Sequence, residues 1–305
     1  MDIFSEQDRN KRKSIFLVLI FIVFITLLGA IFGAALGLPQ EEWVGSIIFA
    51  LIFSSISAFV SYFFSDKIVL MISGAKKVDP EKNKELYRIL ENLCMASGLP
   101  IPKFYIIDDT APNAFATGRN AEHGVVCVTT GLLQKLDRSE LEGVIAHELA
   151  HIGNRDILFM TLVSVLVGTV SLLSDLFLRF TYFNRGGKKH SDENGNGQIQ
   201  IVLIIAGLVL AIFAPIIAIL IQLAISRKRE FLADATGAQI CQNPEALARA
   251  LDKISKDTEP LEAANSATAH LYIVNPLKDG QISKLFSTHP PVEERIAKLL
   301  GMVGK

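Results

Sequence analysis

His147, Glu148 and His151 form an H-E-x-x-H within the stretch Ser139 to Asp156 (SELEGVIAHELAHIGNRD), and nothing else in the 305-residue chain constrains its chemistry as tightly. On an α-helix, residues four apart lie within roughly 40° of each other and about 6 Å apart along the axis, so both imidazoles reach one metal ion. Glu148 is one position further round the helix and points beside that ion, where a general base belongs. The pattern predicts a zinc-dependent hydrolase. A histidine-bearing amphipathic helix also produces it by chance, and a third ligand separates the two readings. Glu230 and Asp234, in SRKREFLADATG, stand at i and i+4 on a second predicted helix. One carboxylate there can bind metal while the other supports a ligand histidine, which leaves an open position for water.

These residues must be positioned by the elements around them. Ser139 followed by Glu142 fits a capping box at the start of the H-E-x-x-H helix, and Leu141, Val144, Ile145, Leu149 and Ile152 offer apolar packing positions. Upstream, Asp79 and Pro80 open a helix with Leu86, Leu90 and Leu93 on one face. Lys103 to Ile107 reads as a strand. Ala114 to Thr117 and Val125 to Thr129 read as a hairpin leading into the metal-site helix. An edge strand beside a metal can pair with an extended polypeptide, so Asn113, Ala114, Phe115 and Ala116 are candidate substrate contacts, with ordinary sheet structure an equal reading. The acidic, alanine-rich stretch from Asp257 to Ala269 reads as a mobile loop.

Half of the residues are hydrophobic while the formal net charge is −1, which points to a membrane protein and gives no basis for a nucleic-acid partner. Four apolar blocks run approximately from Ser14 to Gly37, Val44 to Phe64, Ile157 to Leu178 and Ile201 to Ile225. The first, second and fourth are long enough to cross a hydrocarbon core of about 30 Å. The third carries Asp175 near its end, so a full span and a re-entrant hairpin with the fourth both fit. The first block exceeds the length of a usual signal-peptide core and reads as an anchor. The division expected is a membrane region with two spans at residues 1–66, the first part of a protease domain at 67–156, a membrane hairpin at 157–225 and the second part of that domain at 226–305.

Arg9, Lys11, Arg12 and Lys13 precede the first block. Lys67, Lys76 and Lys77 follow the second, and Arg227, Lys228 and Arg229 follow the fourth. The positive-inside rule then puts both halves of the site in the cytosol. Arg179, Arg185, Lys188 and Lys189 run against it if the third and fourth blocks both cross. Gly29, Gly33 and Gly37 allow close helix approach, which serves a homo-oligomer contact and packing within the chain equally well. Pro215 predicts a kink in the fourth block. Cys94, Cys127 and Cys241 show no metal or disulfide spacing and read as free thiols of a reducing compartment.

The chain resembles the membrane metalloproteases of peptidase family M48, most closely the HtpX heat-shock proteases. The resemblance covers nearly the whole length. It is carried by HELAH and REFLAD together with NAFATG (Asn113 to Gly118), AHLYIVNPL (Ala269 to Leu277) and FSTHPPVEERI (Phe286 to Ile296), in matching order and spacing. It implies an α-helical membrane protein of about four hydrophobic helices with a zincin-like α+β metalloprotease domain. It further implies one Zn2+ per chain held by His147, His151 and Glu230, a catalytic base at Glu148 and a supporting role for Asp234. His289 and Arg227 are candidates for places near the site, and a turn role for His289 has equal standing given Pro290 and Pro291. His123, His190 and His270 receive no ligand assignment. The expected setting is a multi-pass protein of a bacterial-type cytoplasmic membrane whose substrates are unfolded polypeptides and damaged membrane proteins.

Other functions compete with this one. An intramembrane protease would have to bury Lys135, Asp137, Arg138, Glu140 and Glu142 in lipid at high cost. A CAAX-type prenyl-protein protease shares the broader resemblance, but the four-block layout favours the HtpX-like reading. A zinc transporter would place its ligands near the bilayer midplane, and an inactive scaffold has no need of Glu148.

Overall fold

A computed structural model describes residues 3–35, 39–185, 227–265, 267–276 and 289–303, so the fourth apolar block lies outside the described residues. The chain begins with two 33-residue helices, α1 (Ile3–Ala35) and α2 (Gln40–Ile72), both long and apolar enough to cross a membrane. They carry exposed Phe16, Phe49 and Phe59, a surface that suits lipid. Gly29 allows their close approach. A Cβ there would stand 2.5 Å from Ala50 Cβ, and the Gly29 carbonyl accepts a hydrogen bond from Ser46 Oγ at 3.0 Å. That glycine therefore serves packing within the chain.

A four-stranded sheet follows, in the order β1 (Lys76–Lys77), β2 (Lys103–Ile107), β4 (Val125–Thr129), β3 (Ala114–Thr117). β3 and β4 form the expected antiparallel hairpin, with Phe115 opposite Cys127, and β2 runs parallel to β4. Alternation along the strands sorts the residues by face. Ala114, Ala116, Val126 and Val128 pack in one core cluster; Phe115, Val125 and Cys127 pack in another with Val69 and Leu70 of α2. The helix expected from Asp79 begins later, as α3 (Lys84–Ser97). Asp79 instead closes a turn, taking Lys82 N and Asn83 N on its carbonyl and Glu81 N on its carboxylate.

After the short α4 (Thr130–Lys135) comes α5 (Arg138–Gly153), the helix of the H-E-x-x-H. Its capping box lies two residues before the expected one. Asp137 accepts from Glu140 N, and Glu140 reciprocates on Asp137 N, whereas Ser139 turns its hydroxyl to the Asp137 carboxylate. Both pairs match the motif, and the extended backbone of Asp137 (ψ 172°) selects the first. α6 (Asp156–Arg185) leaves α5 at a bend of 87°, through Arg155 in the left-handed conformation (φ 57°). The first half of the third apolar block is enclosed by protein. Ile157, Leu162, Val163 and Leu166 are buried, three of them against Leu17, Phe21 and Ile25 of α1. By length and composition this block counts as a span only if the bent α5–α6 pair is taken as one.

α7 (Arg227–Cys241), α8 (Pro244–Lys256) and α9 (Val292–Leu300) then pack around α5. Buried Glu140 ties α5 to α8 through Lys253 at 2.7 Å. The stretch expected to be a loose loop is tied down: Leu261, Ala267 and Ala269 are buried, and Ala263 N donates to the Asp109 carboxylate. It ends at His270, a buried ring whose Nε2 faces the Met160 carbonyl at 3.1 Å and Ser164 Oγ at 3.2 Å on α6.

Burial holds the His270 pKa down to about 4, against its hydrogen bond to Met160. An unfolded histidine titrates near 6.5, so the folded state binds fewer protons below that pH. This contribution to stability is complete above about pH 6.5 and is lost as pH falls towards 4, by up to about 1.4 kcal/mol per pH unit. Thermal melts in detergent at pH 7.5 and 5.0 should therefore show an acid-induced loss that is smaller in His270→Gln. Equal losses in the two proteins would refute the assignment.

Candidate metal centre

α5 and α7 approach closely because Gly237 lacks a side chain: a Cβ there would lie 2.9 Å from His147 Cα. This contact brings Glu230, two turns earlier on α7, over the two histidines. His147 Nε2 and His151 Nε2 are 3.2 Å apart, Glu230 Oε1 is 3.6 Å from His151 Nε2, and Glu230 Oε2 is 3.8 Å from His147 Nε2. All three residues are buried. Ligands about 2.0–2.1 Å from a tetrahedral ion sit about 3.3–3.4 Å from one another, so the spacing suits one small divalent cation.

The outer nitrogens explain which way the rings face. His147 Nδ1 is 3.0 Å from Asp234 Oδ1, and His151 Nδ1 is 3.2 Å from Asp156 Oδ2. A carboxylate beside Nδ1 holds the proton there and leaves the Nε2 lone pair for a ligand role. Two such lone pairs facing each other at 3.2 Å need a positive charge between them. The residues therefore fit a metal ion, and this His147, His151, Glu230 group is the one cluster of its kind among the described residues.

The model of peptidase family M48 matches residues 80–303. The chain belongs to peptidase family M48. It is 45% identical over 298 residues to a Protease HtpX homolog of Caldanaerobacter subterraneus subsp. tengcongensis, covering 97% of each chain. A Protease HtpX homolog of Thermoanaerobacter pseudethanolicus is 44% identical over 298 residues, again 97% of each. One from Tropheryma whipplei is 44% identical over 294 residues, 96% of each. The protein is thus a membrane metalloprotease, and the cluster is the place in the M48 chain where a metal ion fits.

Of the other residues singled out in the M48 sequence, Asp234 stands behind His147. Arg227 is exposed at the first position of α7, and no contact joins it to the cluster among the described residues. His289 lies close enough to couple electrostatically to Glu230, His151 and His147, and burial lowers its pKa to about 4. Along β3, the edge of the sheet is largely taken by the chain itself. Ala114 O accepts from Ile273 N, the Asn113 side chain donates to the Val274 carbonyl, and Phe115 forms a bridge with Tyr272 and meets its ring edge to face. An edge strand needs partners for its N–H and C=O groups, and residues 272–274 supply them for the first half. Only Ala116 stays beside the cluster, its backbone N–H approaching the Glu148 carboxylate.

Arg295 on α9 was absent from the sequence reading. It is fully buried and grips Asp234 with two hydrogen bonds of 2.7 and 2.8 Å. It also donates to the Ile273 carbonyl at 2.8 Å and stands 3.5 Å from Glu230 Oε2. A signal was present: Val292, Arg295, Ile296 and Leu299 share one face of a helix, so a charge sits on an apolar stripe. Asp156 and Arg229, 3.2 Å apart, were missed as well.

Burial raises the Glu148 pKa to about 8, helped by Glu230 and opposed by His151 and Arg295. Burial opposes protonation of His151, but its hydrogen bond to Asp156 and the charges of Glu230 and Glu148 win and lift it to about 9. Glu230 is held at about 2 in spite of burial, by His151, His289 and Arg295.

Without metal at pH 7, His151 and Glu148 therefore both carry protons that a cation must displace. Calorimetry in buffers of different ionisation enthalpy should find about one to two protons released per metal bound at pH 7. Apparent affinity should rise as pH increases from 7 to 9; proton release near zero would contradict this picture. Arg295→Leu should destabilise the fold by about 3–5 kcal/mol, because Asp234 and Glu230 lose a buried counter-charge. Denaturant unfolding of a chain that remains as stable as the parent would show that these carboxylates do not depend on Arg295.

Proposed function

We propose that the protein is a zinc-dependent endopeptidase that cleaves misfolded or damaged membrane proteins at the cytosolic face of a bacterial-type membrane. The observation that carries this reading is the pair of inward-facing Nε2 atoms 3.2 Å apart, with Glu148 beside them and Glu230 above them. His147, His151 and Glu230 would hold one zinc ion, which supplies polarisation of the scissile carbonyl and a lowered pKa for water.

The chain's own residues do the rest. Glu148 takes the proton of the attacking water and returns it to the leaving amine, a role that suits a buried carboxylate with a raised proton affinity. Asp234 and Asp156 keep the two imidazoles in one tautomer and orientation. Arg295 balances Asp234 and Glu230 so that the ligand carboxylate stays ionised. Ala116, buried beside Glu148, is the part of the β3 edge not paired with residues 272–274 and the place where an extended substrate backbone would lie, which favours unfolded polypeptide.

The basic residues before α1 and after α2 support a cytosolic catalytic domain, as part of a multi-pass membrane region of about four hydrophobic helices. A zincin-like arrangement is supported by a sheet whose edge strand runs beside the H-E-x-x-H helix.

Purified protein in detergent should cleave an unfolded membrane protein in a zinc-dependent manner. Glu148→Gln at matched zinc occupancy should lower the rate by about 10²–10⁴-fold. Parental rates in Glu148→Gln, or activity untouched by chelation and restored by no metal, would defeat the proposal.

A further inference from the structure

Asn10 lies near the start of α1, more than a hundred residues before the histidines, among the charged Arg9, Lys11, Arg12 and Lys13 and at the head of the apolar span. Its side chain is nevertheless buried, 3% exposed, and reaches the metal centre. Nδ2 donates to Asp156 Oδ1 at 2.7 Å and approaches the Asn154 carbonyl at 3.4 Å. Its carboxamide oxygen is buried and has no hydrogen-bond partner among the described residues. The group is therefore held by its donor side alone. Turning it over would set its oxygen against the Asp156 carboxylate, so electrostatics fixes the orientation.

Asp156 divides its two oxygens. Oδ1 receives Asn10 at 2.7 Å and Arg229 Nε at 3.2 Å, while Oδ2 faces His151 Nδ1 at 3.2 Å. The residue also sits just after a bend of 87° and next to Arg155, whose left-handed backbone costs about 1–2 kcal/mol for a residue with a Cβ. The elbow brings Asp156 back over His151, and a carboxylate at such a bend needs anchors on its far side.

We propose that Asn10 is a positioning residue of the metal centre: by fixing Asp156 it fixes the ring and the tautomer of His151, so that the first membrane helix is part of the site. This rests on the reading of His151 as a metal ligand. The competing account is that Asn10 only helps α1 to pack. Leu17, Phe21 and Ile25 pack α1 against Leu162, Val163 and Leu166 of α6, about two to four turns further along α1 than Asn10, which makes Phe21 a suitable control.

The test is zinc affinity of the full-length protein in detergent, measured by competition with a chromophoric chelator, with melting temperature recorded for each variant. Asn10→Ala and the similarly sized Asn10→Leu should each weaken zinc binding by about 3–10-fold, less than the 10–100-fold typical of a direct partner of a ligand. Phe21→Ala should lower the melting temperature and leave affinity within about 2-fold. In an Asp156→Asn background the effect of Asn10→Ala on affinity should vanish, because the two act through one chain of contacts. Unchanged affinity in both Asn10 variants would overturn the inference, as would an equal loss in Phe21→Ala or full additivity with Asp156→Asn. His151→Ala separates the underlying reading. If it binds zinc as the parent does, the assignment of the centre fails; if it loses zinc while the Asn10 variants do not, only the role of Asn10 fails.

Discussion

Everything near the metal centre is governed by the need to keep charge balanced where the carboxylates are buried. Glu148, Asp156, Glu230 and Asp234 are all buried within a few contacts of one another. Isolated carboxylates in such surroundings would take up protons or pull the structure apart. Arg295 and Arg229 offset two of the four negative charges. The other two match a divalent cation, and in the metal-free chain the same deficit is met by protons on His151 and Glu148. Metal and protons are thus alternative answers to one electrostatic demand.

The arrangement also explains why so many elements converge on a single helix. α5 contributes the two histidines and Glu148, α7 contributes Glu230 and Asp234, α9 contributes Arg295, and the start of α6 contributes Asp156. Each of these segments brings a charge that is unfavourable alone. Their hydrophobic contacts carry the packing, while the charges decide which packing is acceptable, because a shifted helix would strand a carboxylate in the core.

The histidine pair and the glutamate between them were legible in sequence because their geometry is local: four residues on a helix determine it. Glu230 and Asp234 were legible as a second helical pair, while the choice of Glu230 between them came from the family resemblance. The β3–β4 hairpin followed from apolar runs around a polar turn. Asn10, Asp156 and Arg295 were not legible in their roles, since each acts only where helices distant in sequence cross, and a bend or a crossing angle leaves no periodic trace. The cap at Asp137 was displaced by two residues because two overlapping sequences satisfy the same motif. Arg227, which the family resemblance offered as a neighbour of the site, is exposed at the first position of α7.

The two histidines and Glu230 are separated by about 80 residues, and Arg295 comes later still. During synthesis the H-E-x-x-H helix therefore exists well before Glu230, and Arg295, the counter-charge of that carboxylate, follows later. A chain that has made α5 but not yet α7 holds the histidine pair without Glu230 or Asp234. Splitting the centre across the chain thus ties the moment at which its charges meet to the order in which its segments are made.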